Sequence, residues 1–195
     1  ATFKGKKLLL IDSPGINSLT PMSEDERVTR DILLKEELEG IVQVVDAKNL
    51  NRGLFITLQL AEMGIPSYLN LNMEDEARSR GISIDSKRLK EILGINVVTT
   101  IATQRKGISE LIKGTSTLNV SKYLPKYSAD IESGIAKVEK FLPEIRISKR
   151  SVAIMLLTGD ETLEPWLHRN LKPQEIEEVE KIRQEIQLKY LDPLG

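Results

Sequence analysis

The sequence predicts an α/β fold with a mostly parallel sheet, followed by a small all-helical domain. Two observations carry this prediction. Over residues 1–114, short apolar runs alternate with amphipathic stretches, and over residues 115–195 no convincing strand-like alternation remains. Apolar runs that alternate with helical patterns are typical of parallel strands joined by crossover helices. We therefore expect a domain boundary near Gly114.

Four apolar runs are expected to be strands. They are KLLLID at 7–12, IVQVVD at 41–46, SYLNLN at 67–72 and NVVTT at 96–100. Helical spacing between and after them predicts helices at 54–63, 87–93 and 108–113. Gly64 and Gly94 directly follow the first two of these helices, as is common at helix C-termini.

One more helix is expected to begin at Ser23. Glu26 follows three residues later, which is the spacing of a capping box. Val28, Ile32 and Leu33 lie on one side of this helix and are expected to face the core.

Three stretches of the second half also follow helical spacing, at 128–141, 148–158 and 173–190. The last one is amphipathic, because its apolar residues share one face. These residues are Ile176, Val179, Ile182 and Ile186.

The composition excludes several classes of protein. The chain has no Cys, one His, and 28 Lys plus Arg against 29 Asp plus Glu. Disulfides, thiolate metal sites and Cys nucleophiles are therefore excluded, and His168 cannot build a zinc or iron site by itself; we expect it in a loop or an interdomain contact. A net charge of -1 argues against nucleic-acid binding. Since no apolar run approaches the ~20 residues of a membrane span, we expect a soluble, intracellular region.

Two loops at strand ends carry possible phosphate and base contacts, since open α/β sheets bind ligands there. In DSPG at 12–15, Asp12 can hold Mg²⁺ directly or through water, and Gly15 can bring its N–H to a phosphate. A simple Pro-Gly turn is the alternative. In NMED at 72–75, Asp75 can accept two hydrogen bonds from the edge of guanine and Asn72 can connect loops. An Asn/Asp helix cap is the alternative.

A third loop follows the run at 96–100. Its small residues could present backbone N–H groups to a purine oxygen; they are Ala102, Thr103 and Gln104. Each of the three loops is a weak signal alone. Their order and spacing, with D-x-x-G followed about sixty residues later by N-x-x-D and then by the small-residue loop, are typical of GTP-binding domains.

The stretches at 12–34, 72–75 and 81–93 resemble the cytoplasmic G domain of ferrous iron transport protein B, FeoB. SVAIMLLTGD at 151–160 is similar to a segment of the family's helical domain. The resemblance implies a P-loop GTPase-like sheet in a partial G domain at 1–114 and a helical domain at 115–195 that regulates nucleotide release. It also implies a membrane pore domain in the same polypeptide, with the present region on the cytoplasmic side of the inner membrane.

The resemblance also implies roles for individual residues. Asp12 and Gly15 would be the catalytic residues, with Asp12 on Mg²⁺ through water and Gly15 at the γ-phosphate of GTP, and 16–26 would be switch II. The residues that would bind the guanine nucleotide, GTP or GDP, are Asn72, Met73, Asp75, Ala102, Thr103 and Gln104. A membrane domain of this kind could assemble copies of the protein into a homo-oligomer.

The sequence departs from the GTPase pattern in three ways. No G-x-x-x-x-G-K-[ST] phosphate loop occurs. We expect the first strand and this loop to be missing from the chain as given, which would expose the inner edges of the runs at 7–12 and 41–46. Ile16 stands where many small GTPases have a water-orienting Gln, so hydrolysis should be slow. Met73 replaces the Lys of N-K-x-D, so affinity should be modest.

The main interpretation is a slow GTPase switch that gates Fe²⁺ uptake. Two alternatives remain open from the sequence. One is a non-enzymatic G-domain remnant that binds partner proteins through helices 128–190. The other is a translation-class GTPase, which the acidic, Glu-rich C-terminal half disfavours.

Overall fold

The computed structural model describes residues 2–3, 6–7, 9–19 and 23–190. The strands are β1 (Thr2–Phe3), β2 (Lys6–Lys7), β3 (Ile41–Asp46), β4 (Ser67–Asn72) and β5 (Asn96–Thr99). The helices are α1 (Glu24–Lys35), α2 (Leu50–Met63), α3 (Glu74–Ser79), α4 (Ser86–Leu93), α5 (Ile108–Gly114), α6 (Ala129–Glu139), α7 (Lys149–Leu157), α8 (Glu164–Asn170) and α9 (Pro173–Tyr190). Short 3₁₀ turns occupy Ala47–Asn49, Ala102–Gln104 and Glu161–Leu163.

The main sheet is parallel and has the strand order β3-β4-β5. Ile41 lies opposite Ser67, and Tyr68 lies opposite Asn96. The central strand β4 is buried on both faces, with Leu69 and Leu71 inaccessible to solvent. Within this sheet, burial along nearly the whole strand is confined to β4, since β3 alternates between less exposed and more exposed residues and β5 is partly buried throughout. The predicted strands at 41–46, 67–72 and 96–100 are thus confirmed, the last being one residue shorter.

The crossover helices also follow the sequence prediction. α2 begins four residues earlier than expected and ends at Gly64, whose φ of 71° is the left-handed conformation that favours glycine. Gly53, inside α2, allows this helix to approach β3 closely, since a Cβ there would lie 2.2 Å from Cγ1 of Val45. α4 and α5 match the predicted helices at 87–93 and 108–113 within one residue.

The expected strand at 7–12 is wrong. Lys7 belongs to the short antiparallel pair β1-β2, Leu8 lies outside the described residues, and residues 9–12 form no strand. Leu9 and Leu10 are 87% and 75% exposed. An apolar run forms a strand only where its backbone N–H and C=O groups can hydrogen-bond to a neighbouring strand. Within the described residues, β3 has a neighbour on one side only, and Val44 on it is 62% exposed. The expectation of an open edge at β3 is confirmed.

Helix α1 buries a different face from the one predicted. Ser23 caps it as expected, accepting a hydrogen bond from the Glu26 N–H. Leu33 is buried, but Val28 is exposed, and the other buried side chains are polar. They are Glu26, Thr29 and Arg30. The apolar pattern fails here because the buried face is held by hydrogen bonds and an ion pair.

The second half is helical, as predicted. α6 packs against α7 and α9, and α7 also packs against α2 of the first half. The predicted apolar face of α9 is confirmed, with Val179 and Ile182 buried and the two other residues partly buried. α8 was not predicted, and His168 lies on it rather than in a loop, with its side chain largely exposed. Among the described residues, no helix is both long enough and apolar enough to span a bilayer.

Candidate functional site

The carboxyl ends of β3, β4 and β5 lie at one edge of the sheet, where parallel sheets bind ligands. The residues at these ends are Asp46, Asn72 and Thr100. Asp46 accepts hydrogen bonds from the backbone N–H of Lys48 at 2.9 Å and from the side chain of Asn49 at 3.0 Å. It therefore fixes the 3₁₀ turn that follows β3.

Asn72 connects the loops that follow β4 and β5. Its Oδ1 accepts a hydrogen bond from the backbone N–H of Ala102 at 3.1 Å and lies 3.0 Å from the Thr100 hydroxyl. The same hydroxyl lies 2.8 Å from Oδ1 of Asn70. The N-cap residue of α3 is Met73, which makes no side-chain capping bond, so Asn72 does not cap that helix. Thr100 is a member of this network that the sequence did not indicate.

Asp75 differs from the acidic residues on either side of it. Glu74 forms an ion pair with Arg78 at 2.6 Å, and Glu76 hydrogen-bonds Lys48. Asp75 is half-buried, and its carboxylate makes no hydrogen bond or ion pair with the described residues. A carboxylate in this state can accept two hydrogen bonds from a ligand.

The turn of Ala102, Thr103 and Gln104 is exposed beside this loop. Two of its backbone N–H groups are already donated, from Ala102 to Asn72 and from Gln104 to the Ile101 carbonyl at 3.0 Å. A ligand beside this turn would therefore contact its exposed surface, because the N–H groups of Ala102 and Gln104 already have acceptors.

The loop from Asp12 to Leu19 is fastened to α1 and α2. The Thr29 hydroxyl donates to the Pro14 carbonyl at 2.9 Å, and the Asn17 N–H donates to Glu26 at 3.1 Å. The Leu19 N–H donates to the Gln59 side chain at 2.9 Å. Glu26 thus holds this loop with its side chain and donates its N–H to Ser23, the residue that caps α1.

A groove of about 500 Å³ separates this loop from the open edge of β3. Asp12 and Gly15 line it together with Val44, Asp46 and Asn49. The Asp12 carboxylate is exposed and forms no hydrogen bond or ion pair with the described residues. A single free carboxylate fits Mg²⁺, which proteins commonly bind through one or two carboxylates together with substrate phosphates. No group of three His, Cys, Asp or Glu side chains arranged for a metal occurs within the described ranges.

Lys48 is a residue of this edge that sequence reasoning missed. Its ammonium nitrogen lies 3.7 Å from Sδ of Met73 and 3.7 Å from Oδ2 of Asp46, and it hydrogen-bonds Glu76. The bond to Glu76 raises the pKa of Lys48. The only signal in the sequence is a lysine two residues after a strand-ending aspartate, which does not reveal the contact across to β4.

Charged side chains also join the two halves of the chain. Arg30 on α1 forms an ion pair with Asp160, and both side chains are 2% exposed. On α7, Arg150 hydrogen-bonds both oxygens of Glu132 at 2.7 and 2.9 Å. This contact lowers the pKa of Glu132 to about 2. Next to it, burial raises the pKa of Glu62, a residue of α2.

Tyr127 completes this second cluster. Its hydroxyl donates to Glu62 at 3.1 Å, and its ring lies 5.6 Å from the Arg150 guanidinium carbon. Burial, followed by the neighbouring Glu62 charge, raises the pKa of Tyr127 to about 12. Ser148 extends the junction, donating its N–H to the Met63 carbonyl at 2.9 Å.

Comparison with known proteins agrees with both halves of the chain. The family model described as ferrous iron transport protein B matches residues 1–115, and the model of the FeoB cytosolic helical domain matches residues 127–194. The chain belongs to the FeoB family. The family assignment agrees with the resemblance found in the sequence and replaces the translation-class alternative.

Curated FeoB proteins match over much of this chain. The Fe(2+) transporter FeoB of Staphylococcus aureus strain MSSA476 is 35% identical over 142 residues, covering 73% of this chain and 21% of the relative. The Escherichia coli K12 transporter is 32% identical over 162 residues, covering 79% of this chain and 21% of the relative. The chain therefore spans about a fifth of the length of these FeoB relatives.

Solved structures of FeoB cytosolic regions share the fold. NFeoB from S. thermophilus bound to GDP·AlF4⁻ and K⁺ is 33% identical with a TM-score of 0.81, covering 92% of this chain and 71% of that one. The cytosolic domain of T. maritima FeoB in its GMPPNP form is 32% identical with a TM-score of 0.78, covering 95% and 79%. The expected P-loop GTPase-like sheet followed by a helical domain is confirmed.

Proposed function

We propose that this chain is the GTP-binding switch region of a ferrous iron transporter. It binds GTP and GDP with Mg²⁺ and hydrolyses GTP slowly. It lies at the cytoplasmic side of the inner membrane and controls Fe²⁺ passage through a membrane pore domain of the same polypeptide. Residues 1–114 form the G domain, and residues 115–195 form a helical domain that regulates nucleotide release. Support comes from the family assignment and from FeoB relatives of which the matched part of this chain covers 21%.

The observation that carries this proposal is the arrangement after β4. Asn72 fastens its own loop to the loop after β5, and the Asp75 carboxylate beside it is left without a partner among the described residues. A fixed loop with one free carboxylate suits guanine, whose N1–H and N2–H₂ groups are adjacent donors. Met73 covers the base, and the exposed turn of Ala102, Thr103 and Gln104 flanks it.

At the groove, Asp12 would hold Mg²⁺ through water and Gly15 would meet the γ-phosphate. The ion would supply charge stabilisation for the phosphates. The stretch 16–26 would be switch II, since it follows Asp12 and Gly15 along the chain and includes the first residues of α1. Ile16 packs against an apolar cluster formed by residues of both halves, and it has no group that orients water. Slow hydrolysis is therefore expected.

Nucleotide specificity tests the proposal. In the full-length protein as the cell makes it, we expect GDP and GTP to bind and ATP not to bind in calorimetry. Asp75→Asn should shift preference from guanine toward xanthine nucleotides, because the amide can donate to the xanthine oxygen. Asp75→Ala should weaken GDP binding about 10-fold or more, as expected for losing a hydrogen-bonded charge.

Glu91→Ala is the matched control, since Glu91 is an exposed carboxylate on α4 that pairs only with Arg88 among the described residues. Its GDP affinity should equal that of the wild type. Undiminished GDP binding by Asp75→Ala would refute the role of Asp75 in base recognition.

The absence of a phosphate loop from the sequence supports a second candidate, a G-domain remnant that acts as an interaction module. Calorimetry with GDP on both the 195-residue chain and the full-length protein distinguishes the two, with thermal unfolding as the check that each is folded. If the folded 195-residue chain and the full-length protein both fail to bind GDP, the interaction module is the better description.

A further inference from the structure

The loop after β4 lacks a lysine that this motif usually contains, yet an ammonium group lies beside it. Met73 occupies the second position of N-x-x-D, where GTP-binding domains usually have Lys. Lys48 reaches the same place from the end of β3, with Nζ 3.7 Å from the Met73 sulfur. The cation is thus supplied by the turn that follows the neighbouring strand β3.

Lys48 is held in this position from several sides. Its backbone N–H donates to Asp46, and its ammonium group hydrogen-bonds Glu76 and lies 3.7 Å from Asp46 Oδ2. The side chain is only 13% exposed, which is low for a lysine. These contacts connect the turn after β3 to α3, the helix that begins with the base-reading loop.

Lys48 also lies between the two parts of the proposed nucleotide site, the groove and the loop after β4. Its neighbours Asp46 and Asn49 line the groove that contains Asp12 and Gly15. Its ammonium group contacts Met73 on the opposite side, next to Asp75. A nucleotide that extends from the groove to Asp75 would pass this turn.

Charge makes a cation useful here. The edge carries the carboxylates of Asp46, Glu74, Asp75 and Glu76, and a nucleotide adds its phosphates. Arg78 pairs with Glu74, whereas Lys48 is the cation that forms ion pairs with Asp46 and Glu76 among the described residues. Arg80 lies near enough for its charge to act on Lys48. Without Lys48, two uncompensated carboxylates would repel the nucleotide.

We propose that Lys48 is a positioning residue of the nucleotide site and replaces, from the end of β3, the lysine that N-M-E-D lacks. It fixes Met73 and α3 relative to the groove and neutralises Asp46 and Glu76. This inference rests on the proposed function, since it concerns the binding of the same guanine nucleotide.

The first test measures GDP affinity in the full-length protein. Lys48→Ala and Lys48→Met should weaken GDP binding about 10-fold, as expected when a charge-assisted contact is lost, and Lys48→Arg should retain affinity within about 3-fold. The loss should shrink at high ionic strength because salt screens the exposed carboxylates. Arg88→Ala, on exposed α4, is the control and should leave affinity unchanged. A thermal unfolding temperature equal to that of the wild type verifies that each variant is folded.

The second test restores the lysine to its usual position. In the Lys48→Ala background, Met73→Lys should recover most of the lost GDP affinity. In the wild-type background the same change should give no gain, because the new ammonium group would lie against Lys48. A strong dependence on background is the signature of two side chains that share one role.

The outcomes separate this inference from the proposed function. If the wild-type protein binds no guanine nucleotide, the proposed function fails. If it binds GDP but Lys48→Ala and Lys48→Met bind equally well, or if Met73→Lys has the same effect in both backgrounds, the role of Lys48 is refuted.

Discussion

Around the groove and the loop after β4, the carboxylates of Asp12 and Asp75 form no hydrogen bond or ion pair with the described residues. At the junction with the helical half, by contrast, Arg30 and Asp160 form an ion pair with both side chains 2% exposed. Arg150 likewise binds both oxygens of Glu132. Under the proposed function, the same residue types would bind a ligand in one region, whereas they hold two regions together in the other. Stability and nucleotide binding should therefore respond to different substitutions.

The largest loss of stability is expected from breaking the buried pair. Asp160→Ala leaves the buried Arg30 with only Asp31, a partly exposed residue 3.6 Å away, as an ionic partner. It also removes the Asp160 carboxylate that accepts a hydrogen bond from the Thr162 N–H at 3.0 Å. We expect the free energy of unfolding to fall by about 3–5 kcal/mol, measured by urea denaturation of the 195-residue chain.

The double variant Arg30→Met/Asp160→Leu should recover much of that loss, because it leaves no unpaired charge. Lys35→Ala, which removes the exposed pair with Asp31, serves as the control and should cost less than about 1 kcal/mol. If Asp160→Ala and Lys35→Ala lowered the free energy of unfolding equally, burial of the Arg30–Asp160 pair would not explain its contribution to stability.

Arg30 also shows where prediction from sequence ends. The strands at 41–46, 67–72 and 96–100 were predictable because short runs rich in apolar and β-branched residues are a local feature of the sequence. The buried face of α1 was not, since it depends on Asp160, 130 positions away. The apolar run at 7–12 failed for a related reason, because strand formation requires a neighbouring strand. The loops with Asn72 and Asp75 were recognisable by their spacing, whereas Thr100 and Lys48 join them through the register of β3, β4 and β5.

An intermediate effect that depends on pH is expected from Arg150→Ala. The pKa of Glu132 is lowered to about 2 by Arg150, so this contact contributes stability above the ordinary carboxylate pKa and loses it as pH falls toward 2. Glu62 adds to this pH dependence. Burial raises its pKa and the Arg150 charge lowers it, so in the variant the buried Glu62 carboxylate loses a compensating charge, and protonation at low pH removes the cost. We expect a loss of about 1–3 kcal/mol at pH 7.

The decisive measurement is how this loss changes with pH. The difference in unfolding free energy between wild type and Arg150→Ala should shrink as pH falls from about 5 to about 2. Arg88→Ala, whose partner Glu91 is exposed, should show a small difference throughout. A difference for Arg150→Ala that stays constant over this range would mean that packing, rather than the ion pairs, accounts for the loss.

The smallest effect on stability is expected where the carboxylates are free. Asp12→Asn and Asp75→Asn remove a charge without removing a contact to the described residues, so each should change the unfolding free energy by less than about 0.5 kcal/mol. Asp160→Asn is the isosteric counterpart at the junction and should destabilise by more than either. A loss above about 1 kcal/mol for Asp75→Asn would contradict the contrast between the two regions, because it would mean that this carboxylate supports the fold. If stability stays unchanged while nucleotide preference shifts, the carboxylate is maintained for its ligand, since the folded chain gains nothing from it.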